Sequence, residues 1–231
     1  LPLILLIIGL WLKIYQEIFI EEANKGIIAE ILEFSAIIVG ILGLSIRIFT
    51  VGYTPKNTSG RNTKGGQVAE TLNTTGIYSL IRNPLYLGNF LMWVAIAMLT
   101  GNIWFVLLFS LGFWVYYERI VYAEELFLRQ KFGKIYLEWT SKTPVFLPRH
   151  FRYQKPDFKF SWKKVLKKEK NGLFALFLLF WVFDIIEIYA RECIFSIEYN
   201  WKFIGAVSTG IIYIIFKYLK RHTTILNETG R

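Results

Sequence analysis

Two short stretches hold the side chains best suited to chemistry. The first, TTGIYSLIRNPLYLGN at residues 74–89, sets Tyr78, Arg82, Asn83 and Tyr86 around Pro84 at the mouth of a long apolar run. The second, AEELFLRQKFGKIYLEW from residue 123, has Glu124 and Glu125 at its head and Glu118 and Arg119 a turn or two earlier. A charge nearing lipid costs free energy, so it needs a partner or a task. Residues 84–100 and 103–122 are apolar and joined by a minimal turn. They read as an antiparallel helical hairpin whose arms, about 17–20 residues or roughly 26–30 Å each, both cross a bilayer. Both stretches then return to one face, and Arg82 meets the Glu124–Glu125 pair at the membrane boundary. Pro84 suits a first helical turn, where its missing N–H would be unpaired anyway. On spacing alone this is either a structural ion pair inside an aromatic belt or a functional site, and it names no reaction.

The elements that must hold these residues are apolar helices. Of 231 residues, 54% are hydrophobic and 18% aromatic, and the mean hydropathy is +0.40, too apolar for an ordinary soluble domain. Runs near bilayer-spanning length lie at 1–20, 27–49, 84–100, 103–122, 172–189 and 203–218. The fold class expected is all-α: a polytopic integral membrane protein of about six transmembrane helices, forming one domain over residues 1–231. Lys13, Gln16 and Glu17 make one polar stripe on the first helix. Residues 54–67, TPKNTSGRNTKGGQ, read as a loop, with Gly65 and Gly66 as flexible chain rather than a phosphate cradle. No internal repeat is visible. The single cysteine, Cys193, leaves no disulfide framework, and with only His150 and His222 beside it no zinc site is expected. No basic segment precedes the first apolar run, so no signal peptide is read.

Basic residues set the expected orientation. Lys56, Arg61, Lys64 and Arg82 precede the third span, thirteen Lys or Arg fall in residues 123–171, and Lys217, Lys220, Arg221 and Arg231 close the chain. The opposite loops hold only Lys25, Arg191 and Lys202. Six spans with both termini and the Arg82 side in the cytoplasm satisfy the positive-inside rule. The net charge of +10 then reflects orientation and anionic lipid rather than nucleic acid. SWKKVLKKEK, residues 161–170, reads as an interfacial flank of snorkelling lysines. The Asn-x-Ser/Thr matches at Asn57, Asn73 and Asn227 fall on the cytoplasmic side and read as chance. Asp184 and Glu187 share a helix face and are expected to pair at the far interface, with Arg191 as a candidate partner; Glu30 and Glu33 are read the same way. Ala36, Gly40 and Gly43 suit close helix packing, internal or between copies.

The two motif stretches together resemble the isoprenylcysteine carboxyl methyltransferase family and its phospholipid methyltransferase relatives. The shared pattern is Gly-x-Tyr-x-x-x-Arg-His-Pro-x-Tyr, a transmembrane hairpin, Glu-Glu, then Phe-Gly-x-x-Tyr-x-x-Tyr and a closing Pro. It spans residues 72–148 in order, a third of the chain, while residues 149–231 add a basic segment and two further helices. Asn83 stands where the family has His, which removes a group able to titrate near neutrality. Trp139 replaces the second Tyr and keeps a flat aromatic face. The resemblance implies S-adenosylmethionine as cofactor and methyl transfer to a membrane lipid or lipidated substrate. It implies Arg82 and Glu125 as catalytic, and Tyr78, Arg82, Asn83, Tyr86, Glu124, Glu125 and Tyr136 as cofactor-binding. Carboxylates can hold the cofactor's ammonium or adenosine donors, and the tyrosines can pack on adenine or sulfonium. Arg82 can hold either the cofactor carboxylate or an anionic acceptor; Arg129 is a weaker candidate. An anionic oxygen needs no general base, so carboxylate or phosphate O-methylation is favoured over phospholipid amine N-methylation. Sterol-type membrane reductases that bind NADPH share part of the pattern, but the Glu124–Glu125 pair fits the methyltransferases better. A non-catalytic membrane scaffold is the third reading.

Overall fold

The computed structural model describes residues 2–19, 27–55, 61–63, 66–148 and 153–228. The expectations for Lys25, Lys56, Asn57, Lys64, Gly65, His150 and Arg231 lie outside the described residues. Six helices run in order: α1 (Pro2–Phe19), α2 (Ile27–Tyr53), α3 (Pro84–Met98), α4 (Ile103–Thr140), α5 (Trp162–Glu192) and α6 (Trp201–His222). Among the described residues four are long and apolar enough to cross a membrane: α2 from Glu30, α4, α5 and α6. α1 carries the polar stripe. α3 is 15 residues, so at about 1.5 Å per residue it reaches only about 22 Å, short of the roughly 30 Å hydrocarbon core. The expectation that both hairpin arms cross fully is corrected for α3.

Part of the expected 54–67 loop is a small antiparallel hairpin, β1 (Arg61–Thr63) and β2 (Gly66–Val68), with Thr63 opposite Gly66. Turn-rich composition serves hairpins as readily as loops, which is why it was unreadable as strand. The α3–α4 turn is as compact as expected. Gly101 takes φ 66°, a backbone open to glycine, and the Asn102 side chain accepts from Phe105 N at 3.0 Å to cap α4.

The small-residue stripe of α2 is an internal contact. A Cβ on Gly43 would lie 2.7 Å from Gly88 O, and one on Gly40 3.3 Å from Ala95 Cβ. α2 and α3 thus meet almost backbone to backbone, the approach small residues permit. The core follows from that contact: Ala36, Ala95, Ile96, Leu99, Leu176 and Phe180 pack together, and Phe105, Phe109 and Phe113 form an aromatic row against Ala97. Apolar residues of α1 and α6, such as Leu3, Ile7, Ile204, Ile211 and Ile214, are exposed, as a lipid-facing surface requires.

The 161–170 segment departs from the snorkelling flank. It is the first part of α5, capped by Ser161, whose side chain accepts from Lys164 N. Lys164 is buried and its ammonium caps the end of α2, donating to Thr54 O, to Thr54 Oγ1 at 3.2 Å and to Pro55 O at 3.1 Å. Orphan carbonyls at a helix C-terminus are natural partners for a lysine.

Candidate active site at the α3 N-terminus

Asn83 is the N-cap of α3 and Pro84 its first residue, so the chain enters the helix from an extended segment. That segment docks onto the loop after α4. Arg82 N donates to Pro144 O at 2.9 Å and Asn83 N to Val145 O at 3.2 Å. The other end is held by Gly76, whose φ of 62° permits a main-chain bond from Gly76 N to Gln154 O at 2.9 Å.

α4 runs past residue 122, where the fourth apolar span was expected to end, to Thr140, and it breaks once. Gly133 has φ 53° and ψ −121°, and no atom lies within 4 Å of a Cβ built there. The bend is therefore a matter of backbone conformation rather than crowding, which only glycine adopts at low cost. Beyond it Trp139 Nε1 donates to Tyr78 O at 3.1 Å, and Tyr136 packs edge-on against Trp139 at 5.7 Å. The kink folds the arm back onto the loop that carries Tyr78 and Arg82.

These restraints bring the expected residues together. Arg82 Nη1 pairs with Glu125 Oε2 at 3.2 Å, with side chains 17% and 25% exposed, and Asn83 Nδ2 donates to Glu125 Oε1 at 3.3 Å. Glu125 thus bridges the two motif stretches. Tyr136 is buried beside Arg82 and Glu125, and its hydroxyl makes no hydrogen bond of normal geometry. Burial, with Glu124 second, raises the Tyr78 phenol, so it does not ionise near neutrality. The Tyr86 ring meets Tyr117 edge-on at 5.3 Å and its hydroxyl faces Glu124.

A cavity of about 580 Å³ opens here, within the roughly 300–1,000 Å³ usual for small-molecule sites. Tyr78, Arg82, Asn83, Tyr86 and Glu124 line it, whereas Glu125 and Tyr136 are not on its wall and touch Arg82 instead. Arg82 Nε is buried and has no hydrogen-bond partner among the described residues. Glu118, Arg119 and Arg129 are exposed, as an ordinary surface charge would be.

A hydrogen-bonded trio on the wall went unread in the sequence. Arg47 of α2 makes a bidentate pair with Glu169 of α5, Nε to Oε2 at 2.7 Å and Nη2 to Oε1 at 2.9 Å, and its Nη1 donates to Asn89 Oδ1 of α3. Such a fork is the strong form of charge-assisted hydrogen bond. The signal was there: Arg47 is the lone cation of its apolar span, and Glu169 the lone acid in SWKKVLKKEK.

Residues 35–135 match the family model of phospholipid methyltransferases. The chain is 38% identical to the protein-S-isoprenylcysteine O-methyltransferase of Schizosaccharomyces pombe over 77 residues, 33% of each chain. It is 32% identical to the cobalt-zinc-cadmium resistance protein CzcN of Cupriavidus metallidurans over 118 residues, 50% of each. It is 34% identical to the Xenopus laevis protein-S-isoprenylcysteine O-methyltransferase over 80 residues, 35% of this chain and 28% of that one. The alignments thus span between 28% and 50% of these relatives' lengths. No solved structure matches the chain.

Proposed function

With residues 35–135 carrying the pattern of the phospholipid methyltransferase family, we propose that this chain is a membrane methyltransferase. It uses S-adenosylmethionine and methylates an anionic carboxylate or phosphate on a membrane lipid or lipidated substrate. The observation that carries this reading is the Arg82–Glu125–Asn83 cluster at the edge of a cavity walled by Tyr78, Tyr86 and Glu124.

The wall has the donors and acceptors the cofactor calls for. Glu124 offers a carboxylate to an ammonium, and Tyr78, Tyr86 and Trp139 offer aromatic faces to a flat base or a cation. The cofactor, when bound, supplies a methyl group activated by a positive sulfur. The protein's share is placement. Glu125 and Asn83 fix the Arg82 guanidinium, so its fork is oriented before anything binds. Arg47, held by Glu169 and Asn89, fixes the opposite wall. An anionic oxygen is already a nucleophile at neutral pH, so neither the un-ionised tyrosines nor Asn83 is asked to remove a proton. The same reading puts the whole chain in one membrane domain, with the cavity and both termini on the cytoplasmic side.

Calorimetric titration of the purified protein with S-adenosylmethionine, run beside NADPH, tests the reading. Binding of the first, followed by radiolabelled methyl transfer into a total lipid extract, is expected. Binding of NADPH alone would sink it in favour of a reductase.

A further inference from the structure

The cavity has a second wall outside the family-matched segment. Lys167, Lys168, Lys170 and Asn171 line it from the first turns of α5, and Lys220 from the last turn of α6. The carboxylates on the whole wall are Glu124 and Glu169, and Glu169 is committed to Arg47 in both oxygens. Arg82 is likewise offset by Glu125. Four lysines therefore line a space with one uncommitted acid, Glu124, which stands with Tyr86 on the α3–α4 side.

Lys170 makes the imbalance acute. It is 6% exposed, and its ammonium donates to the main-chain oxygen of Lys167 at 2.8 Å; no carboxylate pairs with it among the described residues. Lys167 reaches away to Asn227 Oδ1 at 2.7 Å. A buried ammonium among like charges is costly unless an anion completes it. The donors are lysines, point charges on separate stems, rather than one planar fork. That arrangement suits a phosphate, whose oxygens point several ways, better than a flat carboxylate.

We propose that this α5–α6 lysine wall, centred on Lys170 and Lys220, is the binding subsite for the phosphate headgroup of the lipid that the protein takes as methyl acceptor. The role of acceptor rests on the methyltransferase reading; the binding of an anionic phosphate lipid does not. The two added helices thereby choose the acceptor, while the α3–α4 hairpin holds the cofactor.

The test is titration of the full chain in neutral detergent with short-chain phosphatidic acid, short-chain phosphatidylcholine and inorganic phosphate. Each is measured on wild type, K220M, K220E, K170M/K220M and the control K142M/K155M, whose lysines are exposed and off the cavity wall. Wild type is expected to bind phosphatidic acid on the order of tenfold tighter than phosphatidylcholine. K220M should lose several-fold of that preference and K220E all of it, with the control unchanged. Because Lys220 is exposed, K220M and K220E keep the test valid if the double variant fails to fold. S-adenosylmethionine affinity should stay within about twofold throughout. Equal anionic-lipid binding by wild type and K220E, or an equal loss in the control, would overturn the subsite. Inorganic phosphate binding as tightly as the lipid would overturn its assignment to a headgroup. A lysine-dependent lipid preference in a protein that binds no S-adenosylmethionine would uphold the anion subsite and overturn the methyltransferase reading alone.

Discussion

The helices carry two layers of charge, one near each end, and they are built differently. At one end the Lys13 ammonium sits between Glu17 at 3.2 Å, Glu33 at 2.6 Å and Glu187 at 3.0 Å, tying α1, α2 and α5 together. Beside it Arg191 pairs with Glu187, and Lys202 and Asn200 hold Asp184. At the other end Arg47–Glu169 and Arg82–Glu125 stand around a cavity. Glu33 and Arg47 are separated by some 21 Å along α2, and Glu187 and Glu169 by some 27 Å along α5, at about 1.5 Å per residue. The two layers therefore lie near opposite ends of α2 and α5. In the first layer charges are used up on one another across helices. In the second, each pair fixes a cation at the edge of a cavity. Pairing alone is what a membrane helix bundle needs for cohesion; pairing around a void is what a binding site needs.

The sharpest break between the layers comes from removing their central cations. Arg82→Ala and Glu125→Ala should each lower methyl transfer about a thousandfold, at the upper end of what loss of one preorganised donor costs, with the unfolding temperature in detergent little changed. Turnover of radiolabel at wild-type rates in both would erase the distinction. Lys13→Met should do the reverse. It strands the buried Glu17 carboxylate beside the half-buried Glu33 and Glu187, at a cost of about 3 kcal/mol, and should lower the unfolding temperature by several degrees. Turnover per folded molecule should hold. A Lys13→Met protein of normal stability and poor turnover would reverse the roles of the two layers.

The sequence showed one layer better than the other. Arg82, Asn83 and Glu125 were legible because a short turn at residues 100–102 forces two flanking motifs to one face, whatever the details of packing. Asp184 and Glu187 were legible as pairs, though their partners divide differently: Glu187 takes Arg191 and Lys13, and Asp184 takes Lys202. Arg47 with Glu169 was not legible, since nothing local relates residues of α2 and α5. Their meeting depends on how α5 packs against α2, a tertiary outcome. Lys164 and Lys170 looked like solvated flank because a lysine-rich run reads alike whether its helix is exposed or docked. The extent of α4 was missed because no breaker interrupts it before Gly133, and charge alone does not end a helix.

Gly133 tests whether the cavity layer depends on the returning arm. A φ of 53° with ψ −121° strains any residue with a Cβ by about 1–3 kcal/mol. Gly133→Ala should therefore straighten α4 locally and draw Tyr136 and Trp139 off the Tyr78–Arg82 loop. Transfer should fall on the order of tenfold, below the Arg82 effect because the Arg82–Glu125 pair lies before the bend. Full activity would show that the arm is dispensable and that only the hairpin holds the site.

The smallest effect is the most discriminating. Trp139→Phe keeps a ring beside Tyr136 and removes the indole N–H that reaches Tyr78 O. One neutral hydrogen bond contributes about 1 kcal/mol, so cofactor affinity should weaken a few-fold with turnover at saturation unchanged. Trp139 also lines the cavity, so the loss could arise by direct contact or through the loop. The pair Gly133→Ala with Trp139→Phe tests the displacement of the arm. An arm already drawn off by alanine has neither the indole bond nor the wall contact left to lose, so the double variant should match Gly133→Ala alone. Losses that multiply would show that the arm stays docked without the glycine bend.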